Sequence, residues 1–259
     1  MAVKFVNISR EAFIKEYKRL YRFTTLERFI ESLNSNEFVF INPSFWPDPF
    51  EKFFLERDFI VNDKKLKLPA KGKIFAVCVS GTISSEAYWK VYAPKEDGIR
   101  LTFNTEKLLG NFLDNITDAD IYIGKVNYQI TREFHKISFD KKGLIEEINK
   151  GIVGEQQVRL LLKKRKSFLY EDEVRIIVVP HRKTKKDVVY KTQTDITKFT
   201  TKYTLDPRLG ENHVDVLEEY FLDNFKFRVS HSRLYSEIQR NPIDLTIRIT
   251  RTRRPKGSH

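Results

Sequence analysis

The feature that most constrains the fold is an apolar run directly after three acidic residues. Residues 174–179 are mostly β-branched, and Glu171, Asp172 and Glu173 precede them. A strand that is covered on both faces of a sheet has a continuous apolar sequence rather than an alternating one. The run therefore predicts a buried strand with a carboxylate cluster at its start. Such a cluster is either an ion-paired turn, with Arg175 as partner, or part of a functional site.

The length of the chain allows a sizeable core. It has 259 residues, of which 41% are hydrophobic, and it shows no repeat period and no long linker. We therefore expect one α+β domain over residues 1–250, with a mixed, largely strand-built core. Residues 251–259 are predicted to be a disordered basic tail, and residues 257–259 resemble an expression remnant.

The chain is strongly basic. Lys and Arg outnumber Asp and Glu by 47 to 35, which gives a net charge of +12. This excess favours a polyanionic partner such as a nucleic acid or a nucleotide, although a lysine-rich soluble protein has the same balance. Residues 157–166 have a basic, helical pattern. Such a helix is more often a solvated face than a binding surface, but its position before the acidic cluster strengthens the case for binding. The candidate nucleic-acid surface consists of Arg159, Lys163, Lys164, Arg165 and Lys166.

Several classes of protein are excluded by what the sequence lacks. Cys78 is the single cysteine, so no internal disulfide and no cysteine zinc site can form. The five histidines lack zinc-ligand spacing, and phosphate-loop, dinucleotide-fingerprint and nucleophile-elbow motifs are absent. No apolar run is long enough to span a bilayer, and no secretion signal is recognisable. We therefore expect a cytoplasmic protein without a membrane partner.

The N-terminal region predicts a strand, a helix and a second strand. Residues 20–23 form a short strand in this interpretation, and residues 37–41 form another. Thr24 and Glu27 have the spacing of a capping box, which opens the helix between the two strands. Arg22 is thereby expected at a strand-to-helix junction, where α/β proteins often carry ligand-binding groups.

Two loops and one helix supply further candidates. Residues 42–51 contain three prolines, with two large aromatic residues, Phe45 and Trp46, among them, and in this rigid loop Asp48 is the candidate polar contact. Residues 80–85 are rich in hydroxyl groups, so Ser80 and Ser84 can face a ligand, although a serine here is also a good helix N-cap. The aromatic residues of the next helix either stack on a ring or pack in the core; the candidates are Trp89 and Tyr92, beside Tyr88.

Four short blocks resemble an uncharacterised bacterial family that often occurs near mobile elements and defence genes. They are Leu-Tyr-Arg-Phe at residues 20–23, Asp-Pro-Phe-Glu at 48–51, Trp-x-x-Tyr-Ala at 89–93 with Gly98 after it, and Tyr-Glu-x-Glu-x-Arg at 170–175. The blocks are short, but they occur along most of the chain.

The order of Arg22, the serine corner and Glu171-x-Glu173 more remotely resembles the Arg–Ser–Glu branch of the ADP-ribosyltransferase superfamily. The resemblance implies a mixed, mostly antiparallel split sheet flanked by helices, NAD as the substrate that is cleaved, and no metal. The corner departs from the Ser-Thr-Ser pattern of that family, because it reads Ser-Gly-Thr-Ile-Ser-Ser.

The resemblance also implies a role for each candidate. Cleavage of the nicotinamide–ribose bond passes through an oxocarbenium-like state, which Glu173 would stabilise through a ribose hydroxyl. Glu171 would orient or deprotonate the acceptor, since residues i and i+2 of an extended segment share a face. Arg22 would bind the pyrophosphate bidentately. The other implied contacts to NAD are Ser80, Ser84, Asp48, Trp89 and Tyr92.

The expected acceptor is a nucleic acid or a protein, in a phage-defence or toxin system. Two other functions remain open from the residues alone. One is a non-catalytic nucleotide- or nucleic-acid-binding defence protein on the same fold. The other is a metal-dependent nuclease, in which Asp48, Glu171 and Glu173 converge on a divalent ion.

Overall fold

The computed structural model describes residues 3–83, 86–137, 139–182 and 188–235. Two of the sequence predictions, the ligand or capping role of Ser84 and the disorder of the tail at residues 251–259, lie outside these residues. Of the helices in the described part of the chain, none has the length and hydropathy that a bilayer span requires.

The described residues contain fourteen strands and eight α-helices. The strands are β1 (Lys4–Phe5), β2 (Arg19–Thr25), β3 (Glu37–Ile41), β4 (Phe59–Val61), β5 (Lys64–Leu66), β6 (Phe75–Ser80), β7 (Gly98–Asn104), β8 (Ala119–Lys125), β9 (Asn127–Gln129), β10 (Lys163–Arg165), β11 (Glu173–Pro180), β12 (Val189–Gln193), β13 (Thr200–Leu205) and β14 (Val229–His231). The helices are α1 (Arg10–Glu16), α2 (Leu26–Ser35), α3 (Phe53–Glu56), α4 (Glu86–Tyr92), α5 (Thr105–Asn111), α6 (Lys141–Lys150), α7 (Glu155–Leu160) and α8 (Glu211–Phe225).

One large sheet organises the fold. Its main path is β1-β8-β11-β6-β2-β7-β13-β14, and β3 joins it by pairing with β6 and β12. Most pairs are antiparallel, whereas β1 with β8 and β13 with β14 are parallel. The sheet divides along β6, because β2 pairs with it at Ser80 and β3 pairs with it at Ala76. The predicted fold class, a mixed and mostly antiparallel sheet flanked by helices, is confirmed.

The two faces of the sheet carry different side chains. Every residue of β11 from Glu173 to Val179 is buried, as the continuous apolar run predicts. Val174 and its even-numbered neighbours pack into the larger core, which includes residues of α1, α2, α5 and α8. Glu173 and Arg175 alternate to the opposite face, where Ile177 packs against α6 and α7. We call this opposite face the site face.

The predicted N-terminal strand, helix and strand are confirmed, with a shift of one residue at the cap. β2 continues to Thr25, which still pairs with Gly98 in β7. The N-cap of α2 is therefore Thr25 and not Thr24, and its hydroxyl accepts a hydrogen bond from the Arg28 amide. Arg22 accordingly lies in the middle of β2 rather than at its end.

The basic segment 157–166 is not the continuous helix that its pattern predicts. α7 ends at Leu160, and β10 pairs in parallel with β9 shortly afterwards. The three leucines at residues 160–162 are all buried, and a helix presents consecutive residues to different directions. Tertiary packing therefore ends the helix early and turns the lysines that follow it toward the interior.

Candidate functional site

Five charged side chains form a buried cluster on the site face, and we call it the charge cluster. The Lys164 Nζ lies 2.5 Å from Glu171 Oε2, 2.8 Å from Glu173 Oε2 and 3.0 Å from Glu51 Oε1. The Arg175 guanidinium lies 2.7 Å from an oxygen of Glu173 and 2.7 Å from an oxygen of Glu51. The Lys164 side chain is only 5% exposed, so these ion pairs are largely shielded from water.

Backbone geometry at Asp172 brings the two glutamates together. Glu171 ends a 3-10 turn (Lys166–Glu171), and Asp172 has a φ of 39° in the left-handed region that aspartate tolerates. The Asp172 side chain turns away and accepts a hydrogen bond from the Tyr17 hydroxyl at 3.2 Å. The predicted convergence of Glu171 and Glu173 is thus confirmed, but a left-handed residue causes it rather than an extended segment.

The charge cluster has three carboxyl groups for two cations, and because of this imbalance the pKa values of Glu171 and Glu173 differ. Burial would raise the pKa of Glu173, but Arg175 and Lys164 lie so close that they hold it well below its usual value. Burial raises the pKa of Glu171 from 4.5 to about 7, because Lys164 compensates it only partly. At neutral pH, Glu171 is therefore the carboxyl of the cluster that can take up or release a proton.

The raised pKa of Glu171 predicts a pH dependence of stability. The folded protein binds a proton at Glu171 more tightly than the unfolded chain does. The stability that this proton contributes is therefore fully present below about pH 4.5 and is lost as the pH rises through about 7. Glu171→Gln removes the titration. We expect the variant to gain up to about 3 kcal/mol relative to wild type between pH 4.5 and pH 8, at 1.36 kcal/mol per pH unit. Urea denaturation at both pH values measures this, and a constant difference contradicts the assignment.

A row of side chains crosses three adjacent strands beside the charge cluster. Glu173 in β11 pairs with Ser80 in β6, and Ser80 pairs with Tyr21 in β2. The Ser80 hydroxyl lies 2.7 Å from the Glu171 carbonyl oxygen and 2.8 Å from the Tyr88 hydroxyl. Ser80 therefore anchors the turn before Glu173, and it brings a hydroxyl into the same row as the carboxylate.

Aromatic rings close a small cavity over this row. The cavity, of about 20 Å³, is lined by Tyr21, Phe23, Cys78, Val79, Ser80, Tyr88, Tyr92, Glu171 and Glu173. Phe23 stacks on Tyr88 with centroids 4.6 Å apart, and Trp89 meets Phe23 edge-on at 4.9 Å. Tyr92 thus lines the cavity, whereas Trp89 is buried behind it and lines a different, larger cavity.

Arg22 is not brought together with these residues. It follows Tyr21 in β2, so its side chain points to the other face of the sheet, where the guanidinium lies 4.7 Å from the Phe38 ring centroid. There it lines a separate cavity of about 510 Å³ together with Arg28. Burial, with a smaller effect of Arg28, lowers the pKa of Arg22 to about 10.

Asp48 also lies outside the charge cluster. Its carboxylate accepts a hydrogen bond from the Phe50 amide at 2.9 Å and pairs with Arg165 at 3.0 Å. These contacts fix the proline-rich loop that delivers Glu51 to the cluster. Asp48 is therefore a positioning residue for that loop in this conformation.

The predicted basic surface is not supported as a continuous surface: Lys166 is exposed, but the other four side chains make contacts within the protein. Lys164 is in the charge cluster, Arg165 pairs with Asp48, and Lys163 is buried with its ammonium donating to the Lys136 carbonyl oxygen. Arg159 pairs with Glu155 and donates to the Val6 carbonyl oxygen. Sequence reasoning assigned Lys164 to the surface, since a lysine in a basic run gives no sign that three distant carboxylates surround it.

The carboxylates do not form a metal site in the described part of the chain. No group of three or more His, Cys, Asp or Glu residues there has suitable geometry for a metal ion. Glu171 and Glu173 converge on an ammonium group instead, and Asp48 is held apart by Arg165. Asp48, Glu171 and Glu173, the three acids of the nuclease alternative, therefore do not converge on one point in this structure.

Comparison with known proteins gives one family. Residues 88–176 match the model of a family described as Protein of unknown function (DUF2971). The match extends from α4 into β11 and includes Lys164, Glu171, Glu173 and Arg175, which agrees with the expected resemblance to an uncharacterised family. No curated protein and no solved structure matches the chain.

Proposed function

We propose that this protein is an ADP-ribosyltransferase-like enzyme that cleaves the nicotinamide–ribose bond of NAD and transfers ADP-ribose. The observation that carries the proposal is the row of Tyr21, Ser80 and Glu173 on adjacent strands, with Glu171 beside it. The row combines a carboxylate, a hydroxyl and aromatic rings at one end of the sheet. These are the groups that bind a ribose and a nicotinamide ring and stabilise positive charge between them.

Glu173 is the proposed stabiliser of the transition state. It lines the cavity, and Lys164 and Arg175 keep it ionised. A carboxylate that accepts a hydrogen bond from a ribose hydroxyl stabilises the positive charge that develops at the anomeric carbon. The two cations also hold the carboxylate in one orientation, so little reorganisation is needed when charge develops.

Glu171 is the proposed proton acceptor for the incoming nucleophile. Its pKa of about 7 suits this task, because general acid–base catalysis is most effective when the pKa lies near the operating pH. The bond between the anomeric carbon and the nicotinamide nitrogen breaks, and the electron pair leaves with nicotinamide. The acceptor's lone pair then forms the new bond to the anomeric carbon, and its proton goes to Glu171.

The cavity must open before a nicotinamide ring can enter. A volume of about 20 Å³ holds roughly one water molecule. Tyr88 and Tyr92 form part of its wall and both belong to α4, a helix of seven residues. Binding of the donor therefore requires these two rings to move away from Glu173.

The acceptor is proposed to be a nucleic acid or a protein, in a phage-defence or toxin system. The net charge of +12 supports a polyanionic acceptor. With Lys163, Lys164 and Arg165 engaged internally, the cations for such an acceptor lie elsewhere on the molecule.

A non-catalytic nucleotide-binding protein is the second candidate. The specific observation in its favour is that Glu173 is already ion-paired with both Lys164 and Arg175 and lines a closed cavity. A buried carboxylate with two cation partners also occurs as a purely structural group. Such a protein binds a nucleotide and does not turn it over.

Incubation with NAD labelled in both the nicotinamide and the adenosine moieties tests the proposal. We expect release of nicotinamide, and transfer of the adenosine label when a mixture of DNA, RNA and cell extract is supplied as acceptor. Heat-unfolded protein serves as the control. Binding of NAD without release of nicotinamide supports the non-catalytic candidate, and absence of both overturns the proposed function.

A further inference from the structure

A second, larger cavity has more cationic than anionic side chains in its lining. It has a volume of about 580 Å³ at the edge of the sheet formed by β7, β13 and β14. Its charged and titratable lining residues are Arg100, Lys202, Glu218, His231 and Arg233. Arg100 and Lys202 together outnumber the single carboxylate, Glu218, which makes the cavity attractive to an anion.

Arg100 lines this cavity, and its guanidinium has weak partners. Nη2 lies 3.2 Å from the Thr204 hydroxyl, and Nη1 lies 3.4 Å from the Ile83 carbonyl oxygen. The Nε atom is buried and has no hydrogen-bond partner among the described residues. Among the described residues no carboxylate lies within salt-bridge distance of Arg100, so a half-buried guanidinium lacks the anion that usually accompanies it. Burial accordingly lowers its pKa.

The register of the sheet puts Arg100 on the site face. It pairs with Phe23 across β7 and β2, and Phe23 lines the aromatic cavity beside Glu173. The Arg100 guanidinium lies 5.7 Å from the centroid of the Tyr21 ring, which also lines that cavity. Arg100 in β7 and Glu173 in β11 therefore lie on the same face of the sheet, with β2 and β6 between their strands.

Arg22 is another partly buried arginine for which the described residues supply no carboxylate within salt-bridge distance. It lies on β2, the strand next to that of Arg100, but on the opposite face. A ligand bound to Arg22 has the sheet between itself and Glu173. A single extended ligand can contact Arg100 and Glu173 without crossing the sheet.

We propose that Arg100, together with Lys202, binds the pyrophosphate of a dinucleotide in this cavity and so directs the attached ribose toward Glu173. The planar guanidinium fork matches two phosphate oxygens, and the ammonium of Lys202 adds a flexible point charge at the rim. The inference rests on the proposed function for the identity of the ligand. The arginine that sequence reasoning assigned to this role is on the wrong face, and Arg100 takes its place.

Isothermal titration of ADP-ribose into the protein tests the inference without any turnover. We expect Arg100→Gln to weaken binding by about 10–100-fold, the range for loss of a charge-assisted hydrogen-bonded contact. Lys202→Gln is an exposed change that leaves the core intact, and it should weaken binding several-fold. Arg28→Gln, an exposed arginine at the cavity on the opposite face, is the matched control and should bind as wild type does.

Arg22→Gln decides between the two faces. Loss of ADP-ribose binding in this variant, with Arg100→Gln and Lys202→Gln unaffected, overturns the inference, as does absence of binding to the wild type. A single-stranded oligonucleotide is titrated in parallel, and preference for it over ADP-ribose also overturns the dinucleotide assignment.

If NAD is not cleaved but ADP-ribose binding depends on Arg100, the anion site stands and the proposed chemistry fails. If NAD is cleaved but Arg100→Gln and Lys202→Gln bind normally, only this inference fails.

Discussion

Replacement of Lys164 by methionine is expected to lower the free energy of unfolding by about 3–5 kcal/mol. Methionine fills a similar volume but removes the ammonium that lies within 3.0 Å of three carboxylates. Arg175 then remains as the only cation of the charge cluster, and the surplus carboxylates are buried without compensation. The pKa of Lys164, which the carboxylates raise although burial alone would lower it, agrees with this central role.

Lys166→Met is the matched control for this change. Lys166 belongs to the same basic run but is exposed, so the substitution should alter stability by no more than about 0.5 kcal/mol. The double variant Lys164→Met with Glu171→Gln should recover part of the loss, because it removes one surplus carboxylate together with the cation. Chemical denaturation at pH 7 measures all three proteins. Equal losses for Lys164→Met and Lys166→Met contradict the burial of the charge cluster.

Glu173→Gln is expected to reduce the rate of nicotinamide release from NAD by about 10²–10³-fold, as loss of one preorganised electrostatic contact does. The amide keeps the shape of the side chain but cannot carry the negative charge that opposes the oxocarbenium-like state. Some stability is lost as well, since Arg175 and Lys164 lose an ionised partner. The rate must therefore be measured below the unfolding transition of the variant.

The variant Glu51→Gln tests whether Glu173 has a chemical role or only a structural one. Glu51 pairs with the same two cations as Glu173, so the charge change and the loss of stability should be similar. It does not line the aromatic cavity, and it should retain turnover within a few-fold of wild type. If both variants lose turnover equally, Glu173 acts only through the integrity of the charge cluster. If neither loses turnover, the proposed role of Glu173 is wrong.

Because the site around Glu173 is closed and ion-paired, the kinetics of these variants depend on how the donor reaches it. Under the proposed function, Tyr88 and Tyr92 must move before the donor reaches Glu173, whereas the proposed pyrophosphate site at Arg100 lies in the larger, open cavity. The pyrophosphate can therefore bind first and supply binding free energy for the opening of the aromatic wall. This order couples the anion site to the chemistry, because remote binding energy can offset the cost of a conformational change.

The parts of this molecule that could be predicted from the sequence depend on local pattern. The run at residues 174–179 predicts β11 because a strand covered on both faces must be apolar throughout. The acidic residues before it predict a carboxylate cluster at the strand entrance, and Glu171 and Glu173 do converge there. Strand and helix signals near the N-terminus locate β2, α2 and β3 to within about two residues, because period and capping are encoded by neighbours in the chain.

The composition of the site was decided by tertiary structure. Lys164 joins the carboxylates because α7 stops at Leu160 and β10 pairs with β9, and Glu51 arrives from a loop more than a hundred residues away in the chain. Arg22 is excluded from the site by the register of β2 against β6. Tyr21 pairs with Ser80, and since side chains alternate along a strand, the next residue faces the other side of the sheet.

The sequence by itself therefore determined β2, α2, β3 and β11 and the place where carboxylates gather, since these depend on residues adjacent in the chain. The tertiary structure alone decided which face each side chain of β2 and β7 occupies and which cations meet the carboxylates. A shift of one residue in the pairing of β2 with β6 would exchange Tyr21 and Arg22 between the faces, and it would leave the local pattern that predicts β2 unchanged.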